Sequence, residues 1–467
     1  MQNKALNVNL KNNFYINSKQ VKKNSVFFAI EGTKQLGSKY IHEAIKKGAR
    51  QIVAEKKFKG NNFINVKDVR GYLAEHCARK YSNKPKNILA VTGTNGKSSV
   101  CNFYYQILLN LNIPVATIGT LGCFYKRNFK KLSLTTPDTI TIHKTLEFLK
   151  KQKINNIILE ASSHGLHQKR LNNINFNGAA FTNFTQDHLD YHRNLKNYLN
   201  AKLYLFNSLL KKNSYAILDT DIPQYQKILS LCKKKKIKVY SFGKKGNTIK
   251  LISKKVKDGK QIIKINLKNK IYIFSTFLIG DFQIKNLFFS VIFSGLSTNK
   301  WDEIIHKLKF IKSTKGRMEV IGYKKNSPVI IDYAHTPDAL KNALVSVKKH
   351  FNLPITLIFG CGGERDKKKR IQMGKIANTL AKKILLTNDN PRSEDPRKIV
   401  RQIRQGCKQA KIIYDRKKAI EKGIKELKAN SVLLIAGKGH EDIQVFKNKT
   451  IPFSDHKISK LLLQRYV

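Results

Sequence analysis

Residues Ala90 to Ser99 read Ala-Val-Thr-Gly-Thr-Asn-Gly-Lys-Ser-Ser. The apolar run Ile88-Leu89-Ala90-Val91 leads into this stretch. Beyond it, apolar residues recur at Val100, Phe103, Tyr104, Ile107, Leu108 and Leu111, the spacing of one helix face. The two glycines therefore sit between a buried strand and a helix N-terminus. There, free N–H groups and the helix dipole favour a bound phosphate. Gly93 and Gly96 permit a tight turn and a close approach of the backbone. Lys97 is placed to reach the β- and γ-phosphates, and the Ser98 hydroxyl to ligate Mg²⁺. The general phosphate-loop pattern expects its first glycine where this chain has Val91. The alternative is a glycine turn carrying a surface lysine, which does not account for the strand before and the helix after.

Outward from this loop, 467 residues suggest about three domains. An apolar fraction of 41% suffices for packed cores. No stretch reads as a membrane span, and the polar start Met1 to Asn13 does not read as a signal peptide. A cytoplasmic enzyme is expected. The six cysteines, Cys77, Cys101, Cys123, Cys232, Cys361 and Cys407, lack paired spacing, so neither a disulfide framework nor a zinc site is expected. The net charge of +60 raises the possibility of a nucleic-acid partner. The lysines are spread along the chain, however, and the densest runs, Lys233 to Lys236 and Lys367 to Arg370, are short. A solvated basic surface is the preferred reading, with nucleic-acid binding as the second.

The loop Thr92 to Ser98 resembles the nucleotide loop of the Mur ligase family, whose version is Thr-Gly-Thr-Asn-Gly-Lys followed by Ser or Thr. The short first half is then a family trait. The resemblance implies ATP held by Gly93, Thr94, Asn95, Gly96, Lys97, Ser98 and Ser99. It extends over nearly the whole chain. Residues 1–84 read as a small α/β unit, with a strand at Val26 to Ile30, a helix at Ile41 to Gly48 and a strand at Gln51 to Ala54. Ser18 to Gly32 resembles the family's uridine-diphosphate region. The chain departs from it with Asn17-Ser18-Lys19 for Asp-Ser-Arg, and with Leu36-Gly37 for Asp-Gly. Ser18 is the candidate contact there, and a turn serine is an equal reading.

The second expected domain, 85–314, carries most of the family motifs. In Leu134-Thr135-Thr136-Pro137-Asp138 the resemblance implies muramoyl-peptide binding by Thr135 and Thr136. In Asn156 to Leu166, an apolar strand runs into Glu160 and then Ala-Ser-Ser-His-Gly-Leu. The acid would reach Mg²⁺ at the sheet's C-terminal edge. Ser162, Gln168 and Arg170 align with substrate-contacting positions, and a guanidinium suits bidentate pairing with an anion. Asp187-His188-Leu189-Asp190 matches the family closely, and the resemblance implies that His188 binds a second Mg²⁺. In Tyr198-Leu199-Asn200-Ala201-Lys202, the resemblance makes Lys202 a carbamylated lysine whose anion helps to hold the metal. Ile217 to Leu278 shows short β-rich patterns without visible chemistry. Gly280 to Asn286 resembles the family's segment leading to an adenine-side asparagine, here Asn286, with a turn and helix start as the alternative reading.

Lys315-Gly316-Arg317 marks the passage into a third domain, 315–467. Strands at Val329 to Asp332, Ile355 to Phe359, Ile384 to Leu386 and Val432 to Ala436 alternate with helical patterns. The alternation implies a doubly wound, Rossmann-like parallel sheet with ligands at the strands' C-terminal ends. Four charged loops lie there: Asp332 to Pro337, Gly360 to Arg365, Asp389-Asn390-Pro391-Arg392, and Gly437 to Glu441. Arg317 and His335 match positions facing the nucleotide. The expected whole is an α/β chain of three domains, the central one a P-loop ATPase-like parallel or mixed sheet.

The resemblance implies an ATP-dependent, ADP-forming amide ligase of peptidoglycan synthesis. It would add meso-diaminopimelate to the D-glutamate of UDP-N-acetylmuramoyl-L-alanyl-D-glutamate through an acyl phosphate. Arg392 would take the distal carboxylate of diaminopimelate, and Arg365 a second one. Gly437 and Glu441 would hold the ammonium end, with Asp389, Asn390 and Pro391 shaping the loop. Lysine-adding relatives lack that arginine. A lysine-adding ligase, a folate-type glutamate ligase and a basic nucleic-acid binder remain as alternatives, in that order. ATP and Mg²⁺ are the expected cofactors, and a monomer without membrane insertion the expected state.

Overall fold

The computed structural model describes residues 8–32, 35–56 and 58–466. Among the described residues three large sheets follow one another along the chain, and a two-stranded ribbon, Ile443–Val445 with Thr450–Pro452, lies near its end. The first is a four-stranded parallel sheet, in sequence order Phe14–Tyr15, Ser25–Phe28, Ala49–Ala54 and Phe63–Asn65. The helix Ile41–Lys46 packs beside it. It stops before Gly48, whose φ of +87° suits glycine at a helix end.

The second sheet has eleven strands. Its centre is parallel, in the order Val115–Gly119, Asn156–Glu160, Asn87–Thr92, Phe176–Phe181, Leu210–Asp219 and Lys238–Phe242. Antiparallel strands extend both ends. The β-rich stretch 217–278 supplies one of them, the ribbon Ile249–Lys257, Lys260–Leu267 and Lys270–Thr276. Both faces are covered. The helices Lys97–Asn110 and Asp281–Thr298 pack on one face through Val100, Phe103, Ile107, Leu287 and Val291. The helix Thr139–Lys151 buries Ile142, Leu146 and Leu149 against the other. A strand buried on both faces reads as a continuous apolar run, as Ile88 to Val91 does.

The third sheet has Val432–Ala436 between Ser327–Asp332 and Ile355–Phe359, followed by Lys383–Leu386 and Lys411–Ile412, all parallel. Glu319–Lys324 adds an antiparallel edge that the sequence reading did not contain. Leu340, Leu344 and Val347 pack on one face, and Ile420, Ile424 and Leu462 on the other. This is the doubly wound arrangement. All six cysteines are buried and free.

The third domain hides one ion pair completely. Arg416 donates to both Asp455 oxygens at 2.7 Å, and both side chains have no exposure. A second guanidinium contact reaches Ala436 O at 2.9 Å, at the end of the central strand. The pair ties the C-terminal helix Asp455–Tyr466 to the sheet edge that bears the charged loops. Removing one partner strands a buried charge, so Asp455→Ala should lose about 3–5 kcal/mol of stability in urea unfolding. A loss below about 1 kcal/mol would show that the guanidinium finds water or another acceptor.

Candidate active site

The nucleotide loop lies where the sequence reading put it, between the strand Asn87–Thr92 and the helix Lys97–Asn110. Both glycines are required. Gly93 has φ +143° and Gly96 φ +88°, and a Cβ would strike Thr182 Oγ1 at the first and Asn286 Oδ1 at the second. The second contact brings the proposed adenine-side asparagine against the phosphate loop. A cavity of about 590 Å³ opens beside it, lined among others by Asn95, Gly96, Asn183, Phe282, Asn286 and Asn342. The third domain closes the other side: Arg317 reaches Ser98 Oγ at 3.5 Å and lies 4.3 Å over the Tyr333 ring. The Arg317 Nε is buried without a partner. His335 is held through Nδ1 by Tyr333 O at 2.8 Å, and burial lowers its pKa, so the ring is neutral near pH 7.

Two lysines, Lys202 buried and Lys97 half-buried, converge on one oxygen. Lys97 Nζ donates to Gly93 O at 3.0 Å and Thr94 O at 2.9 Å; Lys202 Nζ donates to the same Gly93 O at 2.7 Å. Lys202 is 1% exposed, and its nitrogen lies 4.3 Å from the Tyr198 ring centre. Burial first, and then the Lys97 charge, push the Lys202 pKa well below its ordinary value. Lys97 is likewise lowered by burial, opposed by Glu160. Two cations against one carbonyl is an unfavourable arrangement. A neutral amine at Lys202, or an anion made from it, relieves it.

Glu160 ends the strand Asn156–Glu160 and is 2% exposed. Its carboxylate accepts from Thr120 N at 2.8 Å and Thr120 Oγ1 at 3.1 Å. His188 follows Asp187 with φ +53°, its ring 3.4 Å from the Asp187 carboxylate. Burial brings its pKa down to about 4 despite that neighbour, leaving a neutral ring able to ligate. Burial raises the Asp187 pKa, but His188, His335 and Lys369 outweigh it and hold the carboxyl below its usual range.

A continuous network runs from Glu160 toward the first domain. Thr136 Oγ1 donates to Glu160 O at 2.7 Å and accepts from Ser162 N at 2.9 Å. Thr135 meets Thr120 hydroxyl to hydroxyl at 3.0 Å. Ser162 caps the helix Ser163–His167 through Gly165 N. Arg170 donates to Thr136 O at 2.7 Å and to Gln168 Oε1 at 2.6 Å, and Gln168 reaches the Tyr191 hydroxyl at 3.0 Å. Arg70, from the first domain, faces Arg170 closely enough to lower its pKa further, after burial. Half-buried guanidinium groups whose charges bear on each other suit a bound anion. Ser18 stands apart. Its hydroxyl donates to Glu43 at 2.7 Å, as a turn serine's would.

In the third domain three charged loops interlock. Arg392, at φ +53°, donates to Gly363 O at 2.7 Å, which lays its guanidinium beside the loop that bears Arg365. Pro391 O lies against Gly363, where a Cβ would collide with it. Asn390 donates to Glu441 Oε2 at 2.8 Å, and Gly437, at φ +113°, leaves room for the Asp389 carboxylate. Tyr333, in the fourth loop, donates to Glu441 Oε1 at 3.3 Å. Arg365 points across to the central domain, 3.5 Å from Asp190.

Three sequence models of one family cover most of the chain. The Mur ligase family catalytic domain matches residues 12–81, the Mur ligase middle domain 91–293, and the Mur ligase glutamate ligase domain 316–439. The chain belongs to the Mur ligase family. Among its relatives, the UDP-N-acetylmuramoyl-L-alanyl-D-glutamate–2,6-diaminopimelate ligase of Rickettsia montanensis is 42% identical over 455 residues, covering 95% of this chain and 94% of the relative. The ligase of the same name from Brucella melitensis is 36% identical over 94% of this chain and 91% of its own. A solved structure of a ligase of that name superposes with a TM-score of 0.70 at 28% identity, covering 97% of this chain and 94% of that one. MurF ligase from Thermotoga maritima in complex with ADP gives 0.66 at 18% identity over 98% of each chain, a likeness of fold.

Within this Mur ligase the proposed magnesium ligands are Ser98, Glu160, His188 and, as a carbamate, Lys202. Among the described residues, no three His, Cys, Asp or Glu side chains form a metal-holding group. Glu160 is satisfied by Thr120, and the Lys202 ammonium repels a cation. The site fits Mg²⁺ only if Lys202 becomes an anion, and the crowded Gly93 oxygen favours such a change. Several participants were not assigned from sequence. Lys438 has no exposed side chain and ion-pairs Glu441 at 3.0 Å while donating to Asn390. Thr120 orients Glu160, and Arg70 adds the second guanidinium. Lys438 lies inside the quoted Gly-Lys-Gly-His-Glu loop, which was its signal; Thr120 and Arg70 carry none.

Proposed function

We propose that this Mur ligase joins meso-diaminopimelate to the D-glutamate of UDP-N-acetylmuramoyl-L-alanyl-D-glutamate, with ATP cleaved to ADP and phosphate, as a cytoplasmic monomer. Among the described residues no helix is long and apolar enough to cross a membrane, which agrees with that setting. The observation that supports the reading is a set of contacts around the nucleotide loop: Arg317 reaches Ser98, Arg365 reaches Asp190, and Thr136 links Arg170 to Glu160.

The γ-phosphoryl group of ATP passes to the D-glutamate side-chain carboxylate, giving an acyl phosphate. An amine of diaminopimelate then attacks that carbonyl; the amide forms, and phosphate leaves with the bonding electrons. Lys97 and the helix N-terminus neutralise charge on the phosphates, so that an anionic carboxylate can approach. Arg317 spans both domains and adds positive charge beside Ser98. Ser98, Glu160, His188 and a Lys202 carbamate would hold Mg²⁺, which supplies further charge neutralisation when bound. The interdomain position of the cleft limits the access of water to the acyl phosphate.

Diaminopimelate differs from lysine by one distal carboxylate, and Arg392 is the cation proposed to receive it. Its Nη1 is held by Gly363 O, which orients the remaining donors. Losing such a pair costs on the order of 2–5 kcal/mol, so Arg392→Ala should lower kcat/KM for diaminopimelate by well over tenfold. Lysine should be affected less, since it leaves no carboxylate unpaired. The test measures kcat/KM for both amino acids in both enzymes. Equal losses, or a wild type that prefers lysine, reject the assignment.

A further inference from the structure

Apart from Lys254, Lys255, Val256 and Gln261, which border the cavity beside the nucleotide loop, the ribbon at the end of the central sheet presents a face outside the candidate site. Between Lys244 and Phe277 the chain has ten lysines and one acid, Asp258. The inner sides of its strands bury Ile263, Ile265, Leu267 and Phe274 in the core. The outer sides line up in cross-strand rows: Lys250 with Asn266 and Ile271, Ser253 with Lys264 and Ile273, Lys255 with Ile262 and Ser275. Ile271 is 50% exposed and Ile273 65%, and Ile252, at the irregularity of the first strand, 48%. At the end of the last strand Phe277 is 61% exposed, with Lys260 Nζ 5.0 Å from its ring centre.

The first row borders an open cavity of about 470 Å³. Lys244, Lys245, Lys250 and Lys268 line it with Asn247 and Asn266, and no acid does. None of these four ammonium groups forms an ion pair among the described residues, although the Lys244 N–H donates to Asp221 at 3.0 Å; Lys268 lies instead over the Trp301 ring at 4.3 Å. Aliphatic side chains on an exposed face beside a cationic recess match two chemistries at once. The recess suits an anionic headgroup, and the isoleucines suit the acyl boundary beneath it. Lysine stems can cover apolar surface while their charges stay in water. Single-stranded nucleic acid would call for stacking aromatics or arginines, and the rows contain neither.

We propose that this outer face docks the enzyme peripherally on an anionic lipid surface, with the lysine recess taking headgroup phosphates and Ile271 and Ile273 entering the interface. A chain of charge +60 adsorbs to anionic surfaces through any of its sides, so the test must separate this face from the rest. The full-length enzyme is sedimented with phosphatidylglycerol-containing vesicles and with neutral phosphatidylcholine vesicles at physiological ionic strength. The double variant Ile271→Asp/Ile273→Asp is compared with a control at a remote exposed leucine, Leu461→Asp/Lys460→Asn, whose charge change is the same. The face variant should lose roughly tenfold or more of its partitioning to anionic vesicles, the control about twofold or less. Ligase turnover in solution should be unchanged in both, which shows that both are folded. Equal losses in the two variants overturn the proposal, as does equal binding to neutral vesicles. It is likewise overturned if the double variant abolishes binding to RNA, or a dimer seen by light scattering, while lipid binding is kept.

Discussion

Lys97→Ala is expected to reduce ligation by roughly a thousandfold or more while leaving the protein folded. The ammonium is the first side chain of the helix Lys97–Asn110, and here it turns back onto the Gly93 and Thr94 carbonyls. These two oxygens occupy its donors until a phosphate competes for them. Nothing in the core depends on them, and burial disfavours the charge, so its removal should cost little stability. Release of phosphate with all three substrates present gives the rate, and a thermal melt checks the fold. Wild-type turnover in the variant would remove Lys97 from the chemistry. A large fall in melting temperature would make it a structural residue instead.

Lys202→Ala should be nearly inactive, and partly rescued by a small carboxylate such as acetate that fills the vacated space. Carbamate formation joins the neutral amine nitrogen to the carbon of CO₂ and releases one proton. Burial and the Lys97 charge lower the Lys202 pKa and so favour that neutral amine over an ordinary lysine's. The sign of the linkage follows. In the unmodified protein the unfolded chain binds this proton up to about pH 10.4 and the folded one releases it earlier. The unfolded state then holds more protons, and the contribution to stability rises with pH. Removing CO₂ should therefore lower activity reversibly and leave a strained, more basic site behind. A carbamate carbonyl resonance from labelled carbon dioxide, lost in Lys202→Ala, would identify the adduct. An active enzyme whose Lys202 is unmodified by intact mass would sink the carbamate role.

Much of this protein was legible because its chemistry sits on local patterns. Gly93 and Gly96 are needed by the backbone itself, so the loop and its lysine announce a phosphate site without any tertiary context. The alternation from Val329 to Ala436 specifies a parallel doubly wound sheet, because apolar runs between amphipathic helices have few other ways to be buried. The four charged loops then fall at one sheet edge as a consequence of topology. The antiparallel strand Glu319–Lys324 escaped this reading, since its partly exposed residues give no clear period.

The sequence by itself determined the family, the nucleotide loop, the sheet classes and the residues on the sheet edges, since each is written in short-range spacing or in motif identity. Tertiary structure alone decided which of these groups compete for the same atoms. Lys97 and Lys202 lie over a hundred positions apart and meet on one oxygen; Arg70 faces Arg170 from another domain; Lys438 is buried against Glu441 and Asn390. Ser18 turns its hydroxyl to Glu43, twenty-five positions on. Desolvation and pairing depend on what the fold brings within a few ångströms, and that distance is not encoded in the spacing of residues along the chain.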